Sequence, residues 1–87
     1  MKLRDGCVLK KARSGWTLLV LEGSGQRALR VNDSFAELWS AASGMDDITP
    51  ESLAEAVMER YELDAEEALE RSREIIGLWQ GEGLTNP

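Results

Sequence analysis

The side chains that most often carry out catalysis are nearly absent from this sequence. It has no histidine and a single cysteine, Cys7, among 87 residues. The usual zinc ligand sets and histidine acid–base chemistry are therefore not available to it. Neither of the common glycine-rich phosphate motifs is present, and the Asp and Glu residues fall on predicted helix surfaces, where solvated charge is their ordinary state. We expect a protein that is not an enzyme, with no catalytic residues, metal or cofactor.

One short segment does have residue types and spacing suited to binding. Arg27, Leu29 and Val31 alternate with Ala28 and Arg30, as in a strand with one apolar side and one short or basic side. At the edge of a sheet, such a strand leaves its outer N–H and C=O groups unpaired, and an extended peptide can pair with them. All five residues are therefore candidate peptide-binding residues.

The order of the predicted elements indicates the fold class. Strands followed by helices give an α+β domain with the helices on one face of an antiparallel sheet, and 87 residues are enough for one small domain. We predict a single domain over 1–87, a three-stranded antiparallel sheet followed by three helices, with strands at about 7–11, 16–21 and 27–31 and helices at about 33–42, 50–61 and 65–80.

The sharpest local signal is a change of hydrophobic period at Asn32. Before it, Leu29 and Val31 alternate as in a strand; after it, Phe35 and Leu38 follow helical spacing. The Asn32 side chain can accept a hydrogen bond from the first turn of that helix. A strand is therefore expected to run directly into a capped helix, which fixes the angle between sheet and helix.

Further signals mark the other helix ends. Thr49 followed by Pro50 predicts the N-cap and first residue of the second helix. Asp64 with Glu67 three residues later predicts a capping box at the start of the third. The segment 85–87 is expected to be frayed.

The strand at 16–21 differs from its neighbours because both of its alternating sets of residues are apolar. This pattern is typical of a strand that is central in its sheet or covered on both faces. In a meander of three strands it takes the central position, so that 7–11 and 27–31 form the edges.

Charge divides the chain into two parts. Residues 1–35 hold seven Lys or Arg against three Asp or Glu, whereas residues 36–87 hold three against thirteen, for a net charge of −6 and a pI near 4.6. A basic sheet and an acidic helical layer are expected, and broad nucleic-acid binding is disfavoured. No apolar run reaches the about 18 residues of a membrane span, and the lone cysteine suits a reducing cytoplasm. We expect a cytoplasmic protein without a membrane partner.

The junction and the helix order together resemble the PqqD-like family, the pyrroloquinoline quinone biosynthesis protein D domains. The family signature of hydrophobic-x-Leu-Asn-x-x-x-Ala-x-hydrophobic-Trp is matched by Leu29-x-Val31-Asn32-x-x-x-Ala36-x-Leu38-Trp39. A second stretch similar to the family runs from Leu53-Ala54 to Tyr61-Glu62-Leu63-Asp64. The likeness covers about 3–84. It departs from the family at Ala28 or Leu29, where Tyr or Phe is common, and at Val31, where Leu is common.

The resemblance implies a winged-helix-like fold and a precursor peptide recognition element. Such a domain is a non-catalytic peptide chaperone: it binds the leader segment of a ribosomally made peptide by β-strand addition and presents it to a separate modifying enzyme, such as a radical SAM maturase or a leader peptidase. The implied groove is lined by the third strand and the third helix, here Ala28, Leu29, Arg30 and Val31 on one side and Leu69, Arg73 and Ile76 on the other. A basic strand beside the groove suggests an acidic leader.

Two other functions stay open. A winged-helix DNA-binding regulator is one, although its recognition helix would begin with the acidic residues Asp64, Glu66 and Glu67, which repel phosphates. The other is a homodimeric interaction module in which two third strands pair across a two-fold axis. The protein is thus expected to be a monomer or a homodimer.

Overall fold

The three-stranded antiparallel sheet precedes the three helices along the chain, as predicted, and the α+β fold class is confirmed. The computed structural model describes residues 1–86. In chain order its elements are β1 (Lys2–Leu3), β2 (Cys7–Ala12), β3 (Gly15–Glu22), β4 (Gly25–Val31), α1 (Asp33–Ser43), α2 (Pro50–Arg60), α3 (Ala65–Gly81) and β5 (Thr85–Asn86).

The main sheet is an antiparallel meander in the order β2-β3-β4. β3 is central, and its Leu18 lies opposite Leu9 of β2 and Leu29 of β4. The hairpin between β3 and β4 closes with a two-residue turn whose first residue, Gly23, has φ +55°. That conformation is open to glycine at no steric cost and suits a tight hairpin. The register of β4, and with it the direction of each of its side chains, follows from this turn.

The two chain ends pair with each other in a small second sheet. β1 pairs antiparallel with β5, and the Arg4 N–H extends the pairing by donating to the Leu84 carbonyl over 2.8 Å. The prediction that the end of the chain is frayed is therefore wrong for Thr85 and Asn86, while Pro87 lies outside the described residues. Two-residue strands carry no periodicity, and this pairing exists only once the fold brings both ends together.

Side-chain caps start all three helices. The Asn32 side chain accepts from the first turn of α1, as predicted, and that of Thr49 caps α2. The reciprocal capping box is formed at α2, where the Ser52 hydroxyl accepts from the Thr49 N–H, and the expectation of one at α3 is not met. There Asp64 accepts from the Glu67 N–H over 2.8 Å, which is the N-cap half of the motif.

The hydrophobic core lies between one face of the sheet and the three helices. Its centre is formed by Leu18 and Val20 of β3, Leu53 of α2 and Trp79 of α3, all at most 2% exposed. Within residues 1–86, no helix combines the length and the apolar character needed to cross a membrane.

Candidate peptide-binding edge and groove

The outer edge of β4 has no strand partner anywhere in residues 1–86. In an antiparallel pair, every second residue turns both of its backbone groups towards the partner strand, and the residues between turn theirs away. The pair that closes the β3–β4 hairpin starts this alternation. The N–H and C=O groups of Ala28 and Arg30 therefore point away from β3, and both residues are exposed.

The side chains of β4 divide between the two faces of the sheet. Leu29 and Val31 are half-buried and pack against the core. Ala28 and Arg30 project from the opposite face, where an Arg30 guanidinium nitrogen donates to the Ser14 hydroxyl. The structure thus places these four predicted residues side by side on one strand. Leu29 and Val31 pack against the core, and Ala28 and Arg30 are exposed to solvent.

Arg27, the fifth predicted residue of this strand, joins β4 to the end of α3. Its Nη2 donates to the Glu82 carbonyl over 2.7 Å, and its Nη1 lies 3.4 Å from a Glu82 carboxylate oxygen. Its Nε lies 2.9 Å from a carboxylate oxygen of Glu22, an ion pair outside hydrogen-bond geometry. The Arg27 guanidinium is therefore engaged within the chain and holds the C-terminal end of α3 beside β4.

We expect Arg27→Ala to lower the free energy of unfolding by about 1 kcal/mol, since a charged hydrogen bond and two partly solvated ion pairs are lost. Arg30→Ala is the matched control, because it removes an arginine of the same strand from the solvent side and should leave stability nearly unchanged. Urea denaturation followed by tryptophan fluorescence measures both. Equal effects of the two substitutions would contradict the role given to Arg27.

An apolar groove of about 470 Å³ lies where β4 runs into α1, between that junction and α3. Its floor is aromatic: the Phe35 ring stacks on Trp39 with centroids 5.6 Å apart and meets Trp79 edge-on at 6.1 Å. The residues that line it are Asn32, Ser34, Phe35, Leu38, Val57, Tyr61, Leu63, Arg71, Ile75, Leu78 and Trp79.

The groove takes its residues of α3 from one flank of the helix. The predicted residues Leu69, Arg73 and Ile76 lie on a different flank, about 140° away by helical phase from the α3 residues that line the groove. None of those three lines the groove. Ile76 is 9% exposed and belongs to the core, and Leu69 packs against the core. The Arg73 side chain is exposed to solvent.

The groove-side residues of α3 that sequence reasoning missed are Arg71, Ile75 and Leu78. Leu78 is 68% exposed, although it is a leucine at the mouth of an apolar groove. Leu78 could have been found from the sequence, because it is a large apolar residue outside the hydrophobic stripe of α3 that faces the core. That observation was not part of the prediction.

The charges of the site are confined to its rim. Arg71 forms no ion pair within residues 1–86, although it also lines a neighbouring depression together with Glu67, Glu70 and Glu74. Burial raises the pKa of the Cys7 thiol, which sits on β2 away from the groove. In the described part of the chain, no group of three or more acidic or cysteine side chains is placed to hold a metal. The site can offer backbone pairing, apolar contact and an unpaired guanidinium.

Comparison with protein-family models matches residues 15–84 to coenzyme PQQ synthesis protein D (PqqD). The matched range begins with β3 and includes β4 and all three helices, whereas β2 precedes it. No curated protein and no solved structure gives a significant match.

Proposed function

The chain belongs to the coenzyme PQQ synthesis protein D family, and from this membership we propose that it is a non-catalytic peptide chaperone. It binds the leader segment of a ribosomally made precursor peptide and presents that peptide to a separate modifying enzyme, a radical SAM maturase or a leader peptidase. The family itself partners a precursor peptide and a modifying enzyme in PQQ biosynthesis. We place its action in the cytoplasm, because a single thiol suits a reducing compartment.

The observation that supports this proposal is an unpaired strand edge that leads into an open apolar groove. A leader in extended conformation pairs its backbone with the outward N–H and C=O groups of Ala28 and Arg30. Its side chains then alternate between the two faces of the enlarged sheet. Those on the helix side reach the groove, where Phe35, Ile75 and Leu78 take apolar side chains.

Charge at the groove favours a leader with an acidic residue. Arg71 lies at the groove wall without an ion-pair partner in residues 1–86, and Arg30 lies along the edge. A carboxylate of the leader that reaches the exposed Arg71 side chain gains a charge-assisted hydrogen bond. Glu67, Glu70 and Glu74, which line the neighbouring depression with Arg71, disfavour registers that bring the carboxylate to that side of Arg71.

The experiment is an amide-shift titration with a synthetic peptide that copies the leader segment of a precursor peptide of PQQ biosynthesis. We expect shifts in β4 and in the groove flank of α3. Arg71→Ala should weaken binding about fivefold, as expected for a partly screened charge pair, and should remove most of the salt dependence. Arg73→Ala is the matched control: an arginine of the same helix on a different flank.

Other outcomes distinguish the alternatives. A loss of affinity in Arg73→Ala but not in Arg71→Ala would move the leader to the flank of Leu69, Arg73 and Ile76. Shifts confined to elements other than β4 and α3 would contradict strand addition. A dimer whose β4 amides remain protected when the peptide is present would favour the homodimeric module, and binding of duplex DNA in place of the peptide would favour the regulator.

A further inference from the structure

The face of the sheet that points away from the helices carries an exposed apolar patch on its central strand. Leu19 of β3 lies directly opposite Val8 of β2 and Ala28 of β4, which makes one apolar row across all three strands. Leu21 lies next to this row on the same face. Val8 is 47% exposed and Leu21 55%.

This arrangement departs from the usual pattern of a sheet with one solvated face. In such sheets the outward residues are polar, and scattered exposed apolar residues need no explanation, whereas contiguous ones mark interaction sites. Leu19 and Leu21 form the second apolar set of alternating residues in β3. Because of them, the sequence of β3 resembles that of a strand covered on both faces. Within residues 1–86 the helices cover one face of the sheet, and Val8 and Leu21 of the other face remain exposed.

The charge beside the apolar row has one sign. The next row across the sheet is Lys10, Thr17 and Arg30. By strand alternation, none of the outward residues of β2, β3 and β4 is Asp or Glu. The molecule as a whole is acidic, with a net charge of −6. The face is therefore a locally basic, apolar surface on an acidic protein.

We propose that this face is a docking surface for one acidic amphipathic helix of a partner protein. Three strands about 4.8 Å apart make a surface about 10–14 Å wide, which is the width of one helix with its side chains. The apolar stripe of the helix covers Val8, Leu19 and Leu21, and its carboxylates meet Lys10 and Arg30. Two cations on a protein of net charge −6 are too few to hold a nucleic acid or an anionic membrane.

The surface is separate from the groove but adjoins the same edge strand. Ala28 and Arg30 offer their backbone to the leader and their side chains to this face. A leader strand paired with β4 would extend the face by one strand, so that a helix docked there could touch the leader as well. On the proposed function, from which this step follows, the owner of the helix is the modifying enzyme, which would bind the loaded protein more tightly than the empty one.

The test uses two designed helical peptides of about 18 residues, long enough to form a helix on contact. Both carry leucines at helical spacing on one face; the first has glutamates beside them and the second has lysines. We expect the glutamate peptide to shift the amides of Val8, Leu19 and Leu21 in the full chain, and the lysine peptide to leave them in place. Leu21→Ser should weaken binding of the glutamate peptide at least tenfold.

Leu78→Ser is the matched control, because it changes another exposed leucine, which lies in the groove. It should leave binding of the glutamate peptide intact and weaken binding of the leader peptide. Leu21→Ser should weaken binding of the glutamate peptide and leave binding of the leader peptide intact. No binding, equal binding of both designed peptides, or unchanged binding by Leu21→Ser would overturn the inference. So would shifts of these amides by anionic vesicles or duplex DNA but not by the glutamate peptide. Leader binding that persists through such a result leaves the peptide chaperone proposal standing.

Discussion

Ala28→Pro is expected to lower the affinity for the leader peptide by a factor of about 30 to 150. Proline removes the outward N–H of Ala28, and a leader carbonyl is left without its partner. Losing the bond and stranding the carbonyl cost about 2–3 kcal/mol together. The fold should survive, because this N–H makes no bond to β3 and proline is tolerated at sheet edges. Isothermal titration with the leader peptide measures the loss, and circular dichroism checks the fold.

Ala28→Val serves as the control for the proline substitution, since it keeps the N–H and suits a strand. A leader peptide N-methylated at every second residue provides the same test from the other partner. One of the two methylation registers should lose affinity, and the other should bind nearly as well as the unmodified peptide. Full affinity of both Ala28→Pro and both methylated peptides would mean that the leader does not extend the sheet.

Trp79→Ala should have the largest effect on stability of any single substitution in the described chain. Its ring is 2% exposed and meets Trp39 edge-on with centroids 5.3 Å apart. Truncation leaves a cavity at the centre of the core and costs about 3–5 kcal/mol. A small domain has only about 5–15 kcal/mol in total. We expect the urea midpoint to fall sharply, with a substantial unfolded fraction at 37 °C.

Leu78→Ala is the adjacent control, because its side chain is 68% exposed and its loss should change stability by about 0.5 kcal/mol or less. Similar urea midpoints for Trp79→Ala and Leu78→Ala would show that the aromatic cluster does not make the main contribution to the stability of the core. Trp79→Phe, which retains a ring against Trp39 and Phe35, should recover a large part of the loss. Because Phe35 and Trp79 also line the groove, the core and the groove share this cluster.

The position of α3 beside the junction of β4 and α1 decides which side chains a peptide at the proposed site would meet. Arg27 ties the end of α3 to β4 through Glu82, and the aromatic cluster fixes the rotation of the helix about its axis. The wall of the groove is therefore Ile75 and Leu78 with Arg71 at the rim. A hydrophobic stripe predicts which side of a helix faces the core, but both flanks of that stripe look alike in the sequence. Packing beside α1 and the C-terminal end of α2, which supply the other side chains of the groove, is what distinguishes them.

Local interactions account for what could be determined from the sequence alone. The three strands, the three helices, the junction at Asn32 and the central position of β3 depend on residue spacing, turns and caps, which are all encoded within short segments. The edge position of β4 followed from the order of the hairpins. These features predicted that the segment 27–31 is an edge strand and a candidate for peptide binding. The motif around Asn32 identified the family.

Tertiary structure decided the features that depend on residues far apart in the chain. It paired β1 with β5, engaged Arg27 with Glu82, and turned the Arg71 flank of α3 towards the groove. It also left the second apolar face of β3 uncovered within residues 1–86, whereas the sequence pattern fits a covered strand equally well. Hydrophobic periodicity indicates which side chains of each element are apolar enough to be buried. Which neighbouring element buries them is decided only when the elements pack together.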